Sequence, residues 1–187
     1  GIEKFVVGGC SLGGYVAMEL LRLAPARIAG AILIDTKASA DSDEQRLNRI
    51  RVAEQVLDAG TTEAFWRAML PNVLGSTTKR ISPELVGYTK GLMGDSRPNG
   101  VSNLQIAMSK RKDSHQVLAE FQGPILSIRG SEDSIASAED HERIVSQAKD
   151  AIHFEIAECG HLAPIEKPIE TSKAIIDFLK VVSSPSC

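Results

Sequence analysis

Residues 5–20 read FVVGGCSLGGYVAMEL, and within them residues 9–13 read Gly-Cys-Ser-Leu-Gly. The apolar residues before this Gly-x-Ser-x-Gly motif predict a short buried strand, and those after it predict a helix. A sharp turn from strand to helix holds Ser11 in an exposed and strained position, and its glycines make room for the turn. The motif therefore predicts that Ser11 is a nucleophile. A glycine-rich turn with an incidental serine and a phosphate-binding loop remain the alternatives.

A nucleophilic serine needs a base and a group that orients the base. Residues 124–130 form an apolar run that predicts a strand, and Asp133 follows in the next loop. Residues 152–156 alternate as a strand does, and the loop after them carries a glycine followed by His161. Both loops lie beyond the carboxyl ends of predicted strands, where open α/β sheets react with their ligands. The pattern predicts a catalytic triad of Ser11, Asp133 and His161.

The chain offers competitors for the base and for the acid. Among its four histidines, His115 and His141 lie in charged helical stretches, where we expect solvated surface positions. His153 lies inside a predicted strand, where we expect partial exposure. Two further carboxylates remain alternatives for the acid: Glu132 in the same loop, and Asp35 at the end of an earlier strand.

These motifs resemble the α/β-hydrolase family, which has the same chain order of serine, acid and histidine. Residues 160–162 (Gly-His-Leu) and the Gly-x-x-Asp of residues 130–133 carry the resemblance beyond the serine turn. The stretch 35–41 is similar to small carboxylesterases and enol-lactone hydrolases. The resemblance implies hydrolysis of a small ester, lactone or thioester through an acyl-enzyme, without a cofactor. C–C bond hydrolases and cofactor-free haloperoxidases share the triad, and a receptor-like protein that binds a ligand with little turnover is a further alternative.

The resemblance also implies an α/β fold, with a mostly parallel sheet of about four strands and flanking helices, a partial α/β-hydrolase fold. Residues 1–36 and 123–187 are predicted to form this core. Residues 37–122 read as helices only and are predicted to be a helical cap inserted into it.

In the family, the histidine takes the proton of the attacking serine and the acid fixes the imidazole. The resemblance gives these roles to His161 and Asp133, and makes the backbone N–H of Leu12 one donor to the oxyanion. The apolar residues of the cap predicted to line the substrate pocket are Trp66, Met69 and Met108.

Family members place four strands and a helix before the serine turn, and a second oxyanion donor on a loop after the third strand. Here the turn begins at residue 9. The sequence therefore resembles the C-terminal part of a longer enzyme. We expect the first strand to be an unpaired sheet edge, and the chain alone to be unstable, prone to aggregate and of low activity.

The amino-acid composition limits the kinds of partner that the chain is expected to bind. The 187 residues carry a net charge of −3 and no apolar run of transmembrane length, which argues against nucleic acid and membrane as partners. Three cysteines without scaffold spacing fit a reducing compartment and predict a cytoplasmic protein, in which Cys10 and Cys159 are small buried residues. The scattered histidines and cysteines predict no metal site and no cofactor. The predicted partner is a small-molecule ester or lactone, and the sequence does not indicate an oligomeric state.

Overall fold

The computed structural model describes residues 1–183, so the last four residues of the predicted core lie outside the described part. It contains one sheet of four parallel strands in chain order, β1-β2-β3-β4, with helices on both faces. The predicted fold class is confirmed. The elements in order are β1 (Phe5–Cys10), α1 (Leu12–Leu23), a 3₁₀ turn (Pro25–Arg27), β2 (Ile28–Ile34), α2 (Asp43–Ala59), α3 (Glu63–Val73), α4 (Ser76–Ile81), α5 (Pro83–Gly94), α6 (Pro98–Ser109), α7 (His115–Glu120), β3 (Ile125–Gly130), α8 (Ala138–Gln147), β4 (Ala151–Ile156), α9 (Ala163–Glu166) and α10 (Pro168–Ser183).

The two central strands, β2 and β3, are buried almost throughout because helices cover both faces of the sheet. One apolar cluster joins the sheet to α1, α7 and α8, and a second joins it to α9 and α10. Large buried members of the first cluster are Met18, Leu33, Leu118, Ile125 and Ile144, and those of the second are Leu126, Ile128 and Phe178. This packing fixes the sheet whose carboxyl-terminal edge carries the candidate site.

Six helices, α2 to α7, connect β2 to β3 within residues 37–122. The first begins at a capping box in which Ser42 and Gln45 each bond the other's backbone N–H. It ends at Gly60, whose φ of 62° is the left-handed conformation that glycine adopts readily. In α3, Pro71 neither ends nor breaks the helix, which continues to Val73.

The buried face of α2 differs from the sequence pattern. The spacing of four apolar residues predicts that they share the inner face of α2, namely Leu47, Ile50, Ala53 and Leu57. Three of them, Leu47, Ile50 and Leu57, are instead 63%, 37% and 47% exposed. Of the predicted inner-face residues only Ala53 is buried, together with Val56, which the pattern did not include. The principal neighbour of α2 is α6, so contact with another helix decides which face is covered.

The strand β1 lies at the edge of the sheet and pairs with β2 alone among the described residues. Its Val6 and Val7 are half-buried. No helix in residues 1–183 is long and apolar enough to cross a membrane.

Candidate active site

Ser11 lies between β1 and α1 with backbone angles φ 53° and ψ −115°. A positive φ strains a residue that has a Cβ, so neighbouring groups must hold it. The Ser11 N–H donates to the carbonyl of Ile34 at 2.9 Å, and Thr36 Oγ1 donates to the Ser11 carbonyl at 2.9 Å. A Cβ on Gly9 would lie 2.1 Å from the Gly13 carbonyl, so only glycine fits there. Local backbone contacts therefore present the serine hydroxyl at the carboxyl end of β1.

The side chains of Ser11, His161 and Asp133 form a continuous hydrogen-bonded chain. Ser11 Oγ lies 2.6 Å from His161 Nε2, and His161 Nδ1 lies 2.9 Å from Asp133 Oδ2. The serine follows β1, the aspartate follows β3 and the histidine follows β4, so all three lie at one edge of the sheet. An ionised carboxylate only accepts, so Nδ1 carries the proton and Nε2 is free to accept one from the hydroxyl. This is the geometry of a nucleophile, a base and an orienting acid.

Asp133 is held as a carboxylate. Burial raises its pKa, but the hydrogen bond and charge of His161 and the backbone N–H groups of Ile135 and Ala136 lower it, and the net pKa lies below its usual range. Those two N–H groups reach Oδ1 at 2.7 and 3.1 Å. One oxygen is therefore fixed by backbone while the other is left for the imidazole.

Asp35 is a second buried carboxylate, but it bonds to backbone instead of to the histidine. Its Oδ1 accepts the Gly130 N–H at 2.8 Å, and its Oδ2 accepts the Ala163 N–H at 2.9 Å. Burial raises the pKa of Asp35 to about 6, although these two N–H groups act to lower it. It ties the end of β3 to the start of α9, so the geometry favours Asp133 over Asp35 as the orienting acid.

Glu132, the other alternative acid, also points away from the imidazole. It accepts the Thr77 N–H at 2.8 Å and the Thr77 hydroxyl at 2.7 Å, both from α4. These hydrogen bonds hold the pKa of Glu132 below its usual range. The loop that carries Asp133 is thereby attached to residues 37–122, which we call the helical segment.

Glu166 was not singled out from the sequence. Its Oε1 accepts the N–H groups of Gly160 at 3.0 Å and Leu162 at 3.2 Å, on either side of His161. Its Oε2 accepts the Gly75 N–H at 2.8 Å. This one carboxylate therefore shapes the loop that carries the base. The signal in the sequence is weak, namely an acidic residue five positions after a histidine.

The structure corrects the expected position of one competing histidine. His141 is fully buried, with Nδ1 2.7 Å from Ser127 Oγ and with Nε2 lacking a partner among the described residues. Burial lowers the pKa of His141 to about 4. The charged neighbours of His141 on α8 face solvent, whereas the imidazole points inward with Ile144. His115 pairs with Asp113 at 3.0 Å, away from the chain of three.

The Leu12 N–H stands at the first turn of α1 and makes no hydrogen bond within residues 1–183, so it is free for an oxyanion. Burial raises the pKa of the Cys10 and Cys159 thiols, so neither is a ready nucleophile. Within the same residues, no group of three or more histidine, cysteine or acidic side chains is placed to hold a metal ion.

Two cavities are lined by sequence neighbours of Ser11 and Asp133, although Ser11, Asp133 and His161 themselves line neither. One of about 420 Å³ is lined by Phe65 and Met69 among others. A second, of about 300 Å³, is lined by Leu12 and Met108. Trp66, predicted to line the pocket, borders neither of these two cavities. Its ring instead lies under the charges of the neighbouring Arg67 and Lys90, 5.0 and 5.6 Å from its centroid.

The fold and this geometry define a class of protein. The chain belongs to the α/β-hydrolase fold family, whose sequence model matches residues 1–168.

The chain is also similar to several solved structures. The chain is 34% identical to a thermophilic esterase from Thermogutta terrifontis, solved with malate bound, covering 97% of this chain and 66% of that one with a TM-score of 0.93. For a hydrolase from Pseudomonas aeruginosa the identity is 25%, the coverage 95% and 65%, and the TM-score 0.84. An enol-lactonase from Burkholderia xenovorans shares the fold, at 22% identity, 96% and 66% coverage and a TM-score of 0.83. The chain thus spans just under two thirds of the length of each. Among curated proteins, none gives a significant match.

Proposed function

We propose that this chain carries the catalytic residues of a serine hydrolase that cleaves a small ester, lactone or thioester. The observation that carries the proposal is the hydrogen-bonded chain from Ser11 Oγ through His161 to Asp133, at 2.6 and 2.9 Å. The likeness to an esterase at 34% identity supports the same reaction class.

In this mechanism, Ser11 Oγ attacks the carbonyl carbon of the substrate while His161 Nε2 takes the hydroxyl proton. The tetrahedral intermediate collapses, the leaving group takes that proton from His161, and the acyl group remains on the serine. Water then attacks the acyl carbon with His161 again as base, which releases the acid and restores the serine. Asp133 stabilises the imidazolium that forms in each half of the cycle.

The oxyanion of each intermediate needs donors placed before the reaction begins. The unpaired Leu12 N–H supplies one, and the positive end of the α1 dipole lies at the same point.

We also propose that residues 37–122 act as a cap. They form helices α2 to α7. Of these, α2, α3 and α6 line the 420 Å³ cavity, and α4 is joined to the acid loop through Thr77 and Glu132. A cap of this kind excludes water and shapes the acyl pocket.

Labelling of the full-length protein with a fluorophosphonate tests the nucleophile directly. The probe should attach to Ser11, attachment should vanish in Ser11→Ala, and Asp133→Asn should slow it by orders of magnitude because the imidazole loses its tautomer. Ser172→Ala, an exposed serine on α10, is the control and should label as the unsubstituted chain does. A folded chain that resists the probe would reject the proposal and favour a ligand-binding protein.

A further inference from the structure

Asp41 is surrounded by more positive charge than it can neutralise. Its carboxylate side chain is 1% exposed and is bonded by the Arg49 guanidinium. Arg111 Nη2 lies 3.2 Å from its Oδ1, and Lys37 Nζ lies 3.9 Å from the same oxygen. The three cations are themselves largely covered, with side-chain exposures of 21% for Arg49, 10% for Arg111 and 17% for Lys37. We call them the cation cluster; against Asp41 alone it carries two charges in excess.

Several donors of the cation cluster lack good acceptors. Lys37 makes no hydrogen bond within residues 1–183, since its ion pair is longer than one. Arg49 Nη1 bonds the Gln105 amide oxygen at 3.2 Å and the Met108 sulfur at 3.3 Å, and a thioether is a weak acceptor. Arg111 Nε and Nη1 are buried without a partner in the described chain. Covered cations with unmet donors are costly unless an anion joins them.

The cation cluster borders the larger cavity. Lys37 and Arg49 both line the 420 Å³ cavity, whereas Asp41 does not. The wall of the cavity therefore carries positive charge, and the carboxylate that partly neutralises it lies outside the wall. Within residues 1–183, the residues that line this cavity include no aspartate or glutamate. The remaining wall combines apolar side chains, among them Phe65 and Met69, with the neutral amides of Gln45, Asn48, Gln55 and Gln105. A ligand that suits this cavity is a short apolar chain with an anionic end.

Ser11, Asp133 and His161 do not line this cavity, but several residues of its wall are connected to them. Tyr15 lines it and follows Ser11 by one turn of α1, about 6 Å along the axis. Ile135 lines it and donates its N–H to Asp133 Oδ1 at 2.7 Å. Lys37 directly follows Thr36, whose hydroxyl bonds the Ser11 carbonyl. These connections join the wall that carries Lys37 and Arg49 to the residues that hold Ser11 and Asp133 in place.

We propose that the substrate of this hydrolase bears a carboxylate on its acyl part, and that Lys37 and Arg49 select it in the larger cavity. The inference rests on the proposed hydrolase function and adds the charge of the substrate. It points to monoesters of dicarboxylic acids, or lactones that carry a carboxylate. Neutral esters of the same length would leave the cation cluster without its anion.

The test compares matched substrates. Nitrophenyl monoesters of pentanedioic and hexanedioic acid are each paired with the same ester whose free acid is capped as a methyl ester, and the uncatalysed rates are subtracted. We expect kcat/KM to be at least about tenfold higher for the charged member of a pair, as for one charge-assisted hydrogen bond. In Lys37→Met this ratio should fall about tenfold, mainly through KM, while Lys37→Arg should retain most of it. Raised salt should also reduce the ratio.

Lys4→Met is the matched control. It removes the same charge from an exposed lysine before β1, at the opposite edge of the sheet, and should leave the ratio unchanged. Circular dichroism of each variant establishes that it is folded. A second readout needs no turnover: calorimetry on Ser11→Ala should detect pentanedioate, and binding should weaken about tenfold for its monoamide or when Lys37→Met is added.

The outcomes separate the two proposals. Equal kcat/KM for the charged and capped esters, or a ratio that Lys37→Met leaves unchanged, overturns the carboxylate preference while the hydrolase stands. If a folded chain neither labels with fluorophosphonate nor cleaves any ester, the hydrolase fails. Calorimetry then tests, independently of catalysis, whether the cavity binds an anion. Binding of pentanedioate that depends on Lys37 supports an anion site, and the absence of binding overturns it.

Discussion

Glu166 uses two carboxylate oxygens for three backbone N–H groups, and two of these flank the candidate base. A charged acceptor makes stronger hydrogen bonds than a neutral one, and several donors on one side chain fix a loop in a single shape. His161 must lie within hydrogen-bond reach of the serine to act as its base, so the exact path of its loop affects the reaction. The carboxylate is therefore a positioning group for the imidazole, although it touches neither Ser11 nor Asp133.

We expect Glu166→Gln to cost about 1–3 kcal/mol of stability, because the amide places N–H donors against backbone N–H groups. Labelling of Ser11 by fluorophosphonate should slow at least about tenfold, since a displaced imidazole is a poor base. Thermal unfolding and labelling rates measure the two effects. Glu170→Gln, a change of the same kind at an exposed residue of α10, should alter neither. Normal labelling in Glu166→Gln would contradict the positioning role.

The pKa of His141 predicts how stability depends on pH. The folded chain takes up this proton only near pH 4, whereas the unfolded chain takes it up near 6.5. Stability therefore falls as pH falls from 6.5 to 4, by up to roughly 3 kcal/mol for a shift of this size. Asp35 opposes this trend, because its raised pKa of about 6 makes the folded state bind a proton first and gain stability from pH 6 down to 3.8.

Because the contributions of His141 and Asp35 to the pH dependence of stability oppose each other, the test compares the stabilities of two proteins that differ only at His141. Urea unfolding of the original chain and of His141→Asn is compared from pH 7 to pH 4.5. The variant starts less stable, having lost a packed imidazole, and the gap should narrow as the pH falls. A gap for His141→Asn that stays constant with pH would show that the buried imidazole is not kept neutral.

At the scale of single elements, local signals decided what the sequence could predict. The turn at Ser11 was predictable because glycines, a preceding apolar strand and a following helix specify it locally. The start of α8 is likewise a local signal, since Ser137 and Asp140 form a capping box that depends only on near neighbours. The α2 face and the inward position of His141 were not predictable, because each depends on which distant element packs there.

The turn at Ser11 also provides a test at this scale. Gly9→Ala places a Cβ 2.1 Å from backbone atoms of Gly13, so the turn must move. We expect a loss of about 3 kcal/mol or more and no labelling of the serine. Gly13→Ala adds the same methyl group where no atom lies within 4 Å, inside α1, and should be neutral or stabilise by about 0.5–1 kcal/mol. Equal effects of the two substitutions would contradict the tight turn.

At the scale of the whole molecule, the loops that carry the acid and the base are also the loops that hold the helical segment. Glu132 bonds Thr77, Glu166 bonds Gly75, and Ser134 Oγ lies 3.4 Å from the Asn72 carbonyl. We therefore expect movement of α3 and α4 to alter the positions of Asp133 and His161. The sequence did not predict this coupling, because it joins residues 55 to 91 positions apart through polar contacts that follow no periodic pattern.

Substitutions of two threonines in the helical segment distinguish this coupling from a general effect on packing. Thr77→Val removes the hydroxyl bonded to Glu132, leaves the backbone bond, and should cost about 1 kcal/mol. Hydrogen exchange should quicken at the amides of α4, and Ser11 labelling should change with it. Thr89→Val is the matched change in α5, where Oγ1 is buried without a partner in the described chain, so it should be neutral or stabilise by up to about 1 kcal/mol. If both substitutions alter stability and exchange alike, the Glu132–Thr77 contact does not couple the helices to the acid loop.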